Sequence, residues 1–79
     1  RAPLDGRLLR WLVEARGVAV LTQAELSAQL GRPQSFVSKY ERGERRLDVA
    51  EFLEIAAALN ADPVAIIREL SAPMRRGRR

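Results

Sequence analysis

Residues 22–43 have the sequence TQAELSAQLGRPQSFVSKYERG, and this stretch decides how the chain folds. It contains two short segments separated by a glycine, and each segment spaces its apolar residues three or four positions apart. Leu26 and Leu30 share one face of the first segment, and Val37 and Tyr40 share one face of the second. The pattern predicts two short amphipathic helices joined by a glycine turn, because glycine readily leaves a helix in a left-handed conformation.

The same kinds of start and stop signal recur along the rest of the chain. Residues suited to cap a helix start are Asp5, Thr22, Asp48 and Asp62. Residues suited to end a helix are Gly17, Gly31, Gly43 and Asn60. Thr22 with Glu25, and Asp48 with Glu51, have the spacing of a capping box, and Pro63 suits the first position of a last helix. No strand pattern competes, so we predict an all-α domain of five helices.

The remaining helices are predicted to bury apolar faces of their own. The first helix contributes Leu8, Trp11, Leu12 and Ala15. The fourth contributes Val49, Phe52, Leu53, Ala56 and Leu59, and the fifth contributes Val64, Ile67 and Leu70. Residues 18–21 favour strand or irregular structure, and we interpret them as a connection that buries Leu21. The aromatic residues Trp11, Tyr40 and Phe52 are interpreted as core residues.

The composition excludes several classes of function. A chain of 79 residues has room for one core. It contains no cysteine and no histidine, which removes thiolate nucleophiles, imidazole bases and the usual ligands of zinc, copper and haem. The glutamates have the positions of helix-surface charges or caps, with no paired-carboxylate or phosphate-binding motif beside them. We therefore predict no enzyme activity, no metal and no cofactor.

No apolar run is long enough to cross a bilayer, so no membrane association is predicted. The chain begins at Arg1 rather than at methionine, and no charged start is followed by an apolar run. We interpret it as an excised piece without a signal peptide, and we expect a cytoplasmic protein.

Positive charge is concentrated in two places. The net charge is +4, and the last nine residues contain four arginines that account for all of it. Residues 1–70 are predicted to form the domain, and residues 71–79 a basic flexible tail. Residues 32–46 hold five basic and two acidic side chains, a local excess of five minus two, or +3. Such an excess favours a polyanionic partner.

The second segment of the opening stretch carries a polar stripe opposite Val37 and Tyr40. A helix of about residues 34–42 turns outward the side chains of Gln34, Ser35, Ser38, Lys39 and Arg42. The major groove of B-DNA is about 12 Å wide and admits such a helix. Gln34 can pair with adenine and Lys39 with guanine, whereas either serine can reach base edges or phosphate. The stripe therefore has the chemistry of direct base readout, although a polar stripe on a small helical domain is also compatible with a merely solvated face.

Three arginines follow the stripe. Arg42, Arg45 and Arg46 are predicted to contact the phosphate backbone, which would position the protein on DNA without reading its sequence. Backbone amides at the start of the preceding helix, at Thr22 and Gln23, would add to the attraction for phosphate.

The chain resembles the Cro and phage-repressor family of helix-turn-helix proteins, also called the xenobiotic-response-element type. The resemblance covers about residues 7–70. The residues that match the family pattern are Thr22, Gln23, Glu25, Leu26, Leu30, Gly31, Gln34, Ser35, Val37, Ser38, Glu41, Arg42, Gly43, Ala56 and Leu59. It implies a compact five-helix lambda-repressor-like domain with the helix-turn-helix at helices 2 and 3. It also implies a transcriptional repressor that binds double-stranded DNA as a homodimer on a palindromic operator, with Gln23 contacting phosphate and bracing Gln34. A protein of this kind is expected to be prokaryotic or phage-type and to join the nucleoid when bound to DNA.

Three residues depart from the family pattern. Ser27 replaces the small alanine usual where the two helices cross, and its hydroxyl needs a partner such as a carbonyl one turn back. Pro33 stands where a capping serine is common, and Leu47 stands where proline is common, so the starts of the following helices are left open.

A function in protein binding is the alternative. An antitoxin-like or co-regulator adaptor would have a protein partner as its main target, and DNA binding could coexist with that role. The fifth helix motivates this hypothesis, because it has more apolar residues than one buried face requires: Val64, Ile66, Ile67 and Leu70. Closure of a small core with one of these residues on the surface explains the same pattern.

Overall fold

A computed structural model describes residues 4–76 of the chain, and the side chains of residues 6–72. The helices are α1 (Leu4–Val18), α2 (Gln23–Gln29), α3 (Ser35–Glu41), α4 (Val49–Ala58) and α5 (Pro63–Arg76). No strand occurs between residues 4 and 76. The predicted all-α fold with five helices is confirmed, and the helix predicted at about residues 34–42 is α3 with one flanking residue at each end.

Capping boxes start α2 and α4 as predicted. The Thr22 hydroxyl accepts from the Glu25 amide at 3.0 Å, and the Glu25 carboxylate accepts from the Thr22 amide at 2.8 Å. Asp48 and Glu51 make the equivalent pair of bonds at 2.7 and 3.0 Å. Because each cap satisfies two amides that lack intrahelical partners, these sequence signals act locally and can be recognised without knowledge of the packing.

The predicted helix stops are confirmed at three of four positions. Gly31, Gly43 and Asn60 have φ angles of 68°, 78° and 56°, the left-handed region that glycine and asparagine tolerate. Gly17 was the wrong choice for the end of α1, because the helix continues to Val18 and the left-handed residue is Val20, at φ 57°. A valine is a costly occupant of that region, so local propensity could not have indicated it.

The predicted cap at Asp5 is also wrong, since α1 begins at Leu4 and already includes Asp5. The third predicted aspartate cap is confirmed: the Asp62 carboxylate accepts from the Val64 amide at 3.0 Å, immediately before α5.

All five helices contribute residues to one core. Its buried apolar residues are Leu12, Leu26, Phe36, Val37, Tyr40, Phe52, Ile55, Ala56, Leu59 and Ile66. Trp11, Ala15, Leu21 and Leu70 pack against this cluster while partly exposed. Phe36 and Tyr40 stack edge to face, with ring centroids 5.5 Å apart. The predicted faces of α1, α2 and α3 are therefore confirmed.

The predicted faces of α4 and α5 need correction. Val49 and Leu53 are exposed on α4, and Ile55 is buried instead. On α5, Val64 and Ile67 are 54% and 52% exposed, whereas Ile66 is 2% exposed. Apolar residues in both helices are so closely spaced that more than one face satisfies the helical period, and only the direction of the neighbouring helices selects between them.

Ser27 of α2 and Tyr40 of α3 each bury a side-chain hydroxyl group. The Ser27 hydroxyl donates to the Gln34 carbonyl at 3.2 Å and accepts from the Val37 amide at 3.3 Å. These partners belong to the start of α3 and the residue before it. The sequence had predicted a carbonyl one turn back in α2 instead. The Tyr40 hydroxyl has no hydrogen-bond partner among the described residues, and burial raises its pKa above the ordinary value of 10.

Helix α5 runs to Arg76, so part of the segment predicted as a tail is helical. Residues 77–79, including Arg78 and Arg79 of that predicted tail, lie outside the described residues. Among the described residues, none of the helices is both long enough and apolar enough to span a bilayer.

Candidate nucleic-acid interface

A shallow surface groove runs between the start of α2 and the start of α3. It is lined by Thr22, Gln23, Ala24, Gln34, Ser35 and Ser38. The packing of α2 against α3 therefore places three predicted base-contacting residues beside the two predicted phosphate-contacting residues of α2. These residues are 11 or more positions apart in sequence, and it is the turn at Gly31 that brings them to one surface.

The polar stripe of α3 faces solvent. Gln34, Ser35 and Lys39 are exposed, and Ser38 is half-buried with its hydroxyl donating to the Ser35 carbonyl at 3.1 Å. Gln34 lies at the N-cap of α3, and its side chain makes no capping hydrogen bond. Lys39 lies one turn further along α3, outside the groove lining. The outward direction of the stripe is confirmed, whereas contact with bases stays a prediction.

The Gln23 side chain is hydrogen-bonded to a glutamate carboxylate of α3. Its Nε2 donates to the Glu41 Oε1 at 2.7 Å, at the last residue of α3. The predicted brace from Gln23 to Gln34 is not the contact observed here. Because the carboxylate is only 6% exposed and fixed by further bonds, the Gln23 side chain is oriented at the edge of the groove before any ligand arrives.

The anion that holds Gln23 is itself held by Arg16 of α1. Arg16 Nε donates to Glu41 Oε2 at 2.7 Å, and Nη2 donates to Glu41 Oε1 at 3.0 Å, a bidentate pair. Nη1 donates to the Leu21 carbonyl at 2.9 Å, so the same guanidinium also secures the α1–α2 connection. The hydrogen bonds to Glu41 raise the pKa of Arg16 above its ordinary value.

The three arginines predicted to contact phosphate differ in their intramolecular bonds. Arg42 pairs with Glu44 at 2.9 Å, and both side chains are more than half exposed. Arg45 pairs with Glu51 at 2.8 Å and also donates to the Arg46 carbonyl at 3.0 Å. The Arg46 side chain is exposed. An exposed pair such as Arg42 with Glu44 contributes little to stability, so Arg42 can readily release Glu44 and bind another anion.

Glu51 joins the loops on both sides of α3. Its carboxylate accepts from Arg45 and, at 3.2 Å, from Arg32, in addition to capping α4. Both guanidinium groups lie over the Phe36 ring, with the Cζ atoms 4.7 Å and 5.0 Å from its centroid. Cation–π contacts and the shared carboxylate thus fix the start of α3 and its two flanking loops against α4. The bonds from Arg45 and from the Asp48 amide lower the pKa of Glu51 from 4.5 to about 2.

The depressed pKa of Glu51 predicts acid-dependent stability. A carboxylate with a lower pKa in the folded state stabilises the fold fully above its ordinary pKa of 4.5, and this contribution disappears as the pH falls towards about 2. We expect Glu51→Gln to lower the Tm at pH 7 by roughly 4 °C or more. Thermal unfolding between pH 7 and pH 2 should show the difference between parent and variant closing below pH 4.5. A difference that stays constant down to pH 2 would contradict the assigned role of this carboxylate.

Glu41 and Glu51 were interpreted from sequence as surface charges or caps, and their role as anchors was missed. The capping role of Glu51 is visible in its spacing from Asp48. The partner of Glu41 is Arg16, 25 positions away, and no local signal marks that pair. One indirect signal exists, since Glu41 directly follows the buried Tyr40 and so lies at the edge of the core-facing surface.

Comparisons with known proteins agree with this geometry. A family model described as a helix-turn-helix domain matches residues 6–67, which include both α2 and α3. A solved structure described as an XRE-family like protein from Pseudomonas syringae pv. tomato str. DC3000 superposes with a TM-score of 0.83 at 52% identity. The match covers 87% of this chain and 84% of that chain. The chain belongs to the XRE-type helix-turn-helix family.

As an XRE-type helix-turn-helix domain, the chain has α2 and α3 as its motif. The resemblance seen in the sequence is confirmed, and the family assignment supports a DNA-binding regulator. A comparison with curated proteins found no match.

Proposed function

We propose that the protein is a sequence-specific transcriptional repressor that reads double-stranded DNA by placing α3 in the major groove. The observation that carries this proposal is the groove shared by the starts of α2 and α3, where Gln34, Ser35 and Ser38 lie beside Thr22 and Gln23. In this arrangement the amide and hydroxyl groups of α3 can contact base edges, while the start of α2 can contact the adjacent phosphate backbone.

The exposed side chains of α3 provide the base contacts in this proposal. The Gln34 amide can bond adenine N6 and N7 together, and the Lys39 ammonium can donate to guanine O6 and N7. Ser35 and Ser38 add shorter hydroxyl contacts. Gln34 and Lys39 are both exposed, so they can enter the groove without rearrangement of the fold.

Phosphate contacts come from both sides of the stripe. Thr22 and Gln23 lie at the start of α2, while Arg42, Arg45 and Arg46 follow α3. Arg42 can exchange Glu44 for a phosphate because their pair is exposed, whereas Arg45 is more firmly tied to Glu51. Binding should weaken steeply with salt, since each phosphate neutralised by the protein releases a counterion.

Selection of bound sequences from a random pool of double-stranded DNA tests this function. The parent protein should enrich one motif, and a palindromic motif would support two-fold assembly. A Gln34→Ala/Lys39→Ala variant is the matched control, because it removes two exposed side chains and leaves the core intact. If the parent enriches nothing beyond this control, sequence-specific binding is wrong and an adaptor function is favoured.

A homodimer is the second part of the proposal. Val64 and Ile67 of α5, together with Val49 and Leu53 of α4, are large apolar residues left exposed by the fold. Covering them with a second copy would remove apolar surface from water. Two recognition helices would then lie in successive major grooves, about 34 Å apart, on a palindromic operator.

Sedimentation equilibrium tests the homodimer. We expect Ile67→Glu to weaken self-association by about tenfold or more, because it would bury a charge in an apolar contact. Ile66→Glu is unsuitable, since Ile66 is part of the core. Val20→Glu is a matched control, because Val20 is an exposed apolar residue in the α1–α2 connection. A parent that is monomeric at tens of micromolar, or an Ile67→Glu variant that associates like the control, would contradict the proposed interface.

A further inference from the structure

The start of α3 differs from the starts of α2 and α4. Thr22 and Asp48 have extended backbone conformations and accept from the third amide of their helices. Gln34, at the corresponding position of α3, has helical φ and ψ angles of −54° and −32° and makes no side-chain cap. The recognition helix therefore begins without a cap from its own segment.

A residue of α2 makes the missing bond. The Ser27 hydroxyl accepts from the Val37 amide at 3.3 Å, and Val37 is the third residue of α3. This is the amide that an N-cap side chain normally satisfies. The same hydroxyl donates to the carbonyl of Gln34 at 3.2 Å, so it holds both ends of the first turn.

Burial makes this bond consequential. Ser27 and Val37 are both fully buried, so water does not reach the Val37 amide to replace the hydroxyl as its partner. Alanine at position 27 would leave that amide unpaired and would release the Gln34 carbonyl. Ser27 bonds the backbone carbonyl of Gln34, the residue whose side chain points to the groove. If this bond is lost, the first turn of α3 becomes less ordered and the Gln34 side chain loses its fixed direction.

We propose that Ser27 is a positioning residue for DNA recognition: it caps the recognition helix from the preceding helix and thereby fixes Gln34. This inference rests on the proposed function for its DNA readout, but the cap itself can be tested without DNA.

Native-state hydrogen exchange is the first arm of the test. In Ser27→Ala, the Val37 amide should exchange about fivefold faster or more, relative to the amides of α4. Ile55→Val is the matched control, since it removes one buried methyl group from α4, should cost a similar amount of stability and leaves the hydrogen bonds of Ser27 in place. Equal relative protection of Val37 in both variants would overturn the cap.

Operator discrimination is the second arm, measured for folded protein well below the Tm of each variant. Ser27→Ala should lose about threefold or more of the ratio between operator and nonspecific affinity, whereas Ile55→Val should keep it. If both variants discriminate like the parent, the positioning role is wrong although the repressor function stands. If the parent itself shows no preference, the proposed function fails, and the exchange arm still decides whether Ser27 is a cap.

Discussion

Gln34→Ala lowers the affinity for the selected operator by about 1–3 kcal/mol and relaxes the preference at one base pair. The expectation follows from the proposed bidentate pairing of the amide with adenine, which alanine cannot replace. The Gln34 side chain makes no capping bond and is exposed, so its removal should leave the stability of α3 unchanged. Titration of the operator and of each single-base variant measures both the loss and its position.

Gln29→Ala is the control for this experiment. Gln29 is an exposed glutamine at the end of α2 and does not line the groove. The Gln29→Ala variant should bind each DNA sequence with the same affinity as the parent. If Gln34→Ala keeps full discrimination, or if both variants lose affinity equally for all sequences, Gln34 does not read a base.

Arg16→Met is expected to lower the free energy of unfolding by about 2–4 kcal/mol. The substitution leaves the Glu41 carboxylate nearly buried with only Gln23 beside it, and it removes the bond to the Leu21 carbonyl. Glu41 also lies at the C-terminus of α3, where the helix dipole disfavours an unpaired anion. Urea unfolding monitored by circular dichroism measures the loss.

Two further variants separate the causes of that loss. Arg42→Met breaks an exposed pair and should leave stability nearly unchanged. Arg16→Met/Glu41→Leu should recover part of the stability lost in the single variant, since no uncompensated charge remains. A single variant that is as stable as Arg42→Met would show that the Arg16–Glu41 pair has no structural role.

The sequence predicted the helices better than their packing because the signals differ in range. Capping boxes at Thr22 and Asp48 and the stops at Gly31 and Gly43 depend on groups a few positions apart, and all of them are found in the structure. The end of α1 was misplaced because the left-handed conformation falls on Val20, an exposed valine whose own propensity opposes it. The choice between Ile66 and Ile67 depends on where α1 and α4 lie, which no local pattern contains.

The candidate site was predictable to a similar extent. The outward stripe of α3 follows from helical periodicity alone, and the groove confirms that the start of α2 lies beside it. The interactions that hold the site are different, because they join residues distant in sequence. The bonds from Arg16 to Glu41 and from Ser27 to Val37 connect separate helices, and only the coordinates reveal them.

The bond of Ser27 to α3 has a practical consequence for altering target preference. Replacing residues 34–42 with the corresponding segment of another regulator would transfer the stripe, but the new segment would still have to bond Ser27 of α2 and Arg16 of α1. Ser27 bonds only backbone atoms of residues 34 and 37, so it can accept any graft without proline at position 37, whereas Arg16 needs a carboxylate at position 41. A chimera that meets both conditions should fold and present its new side chains in register. A chimera that meets neither condition should be less stable and should orient the grafted side chains poorly.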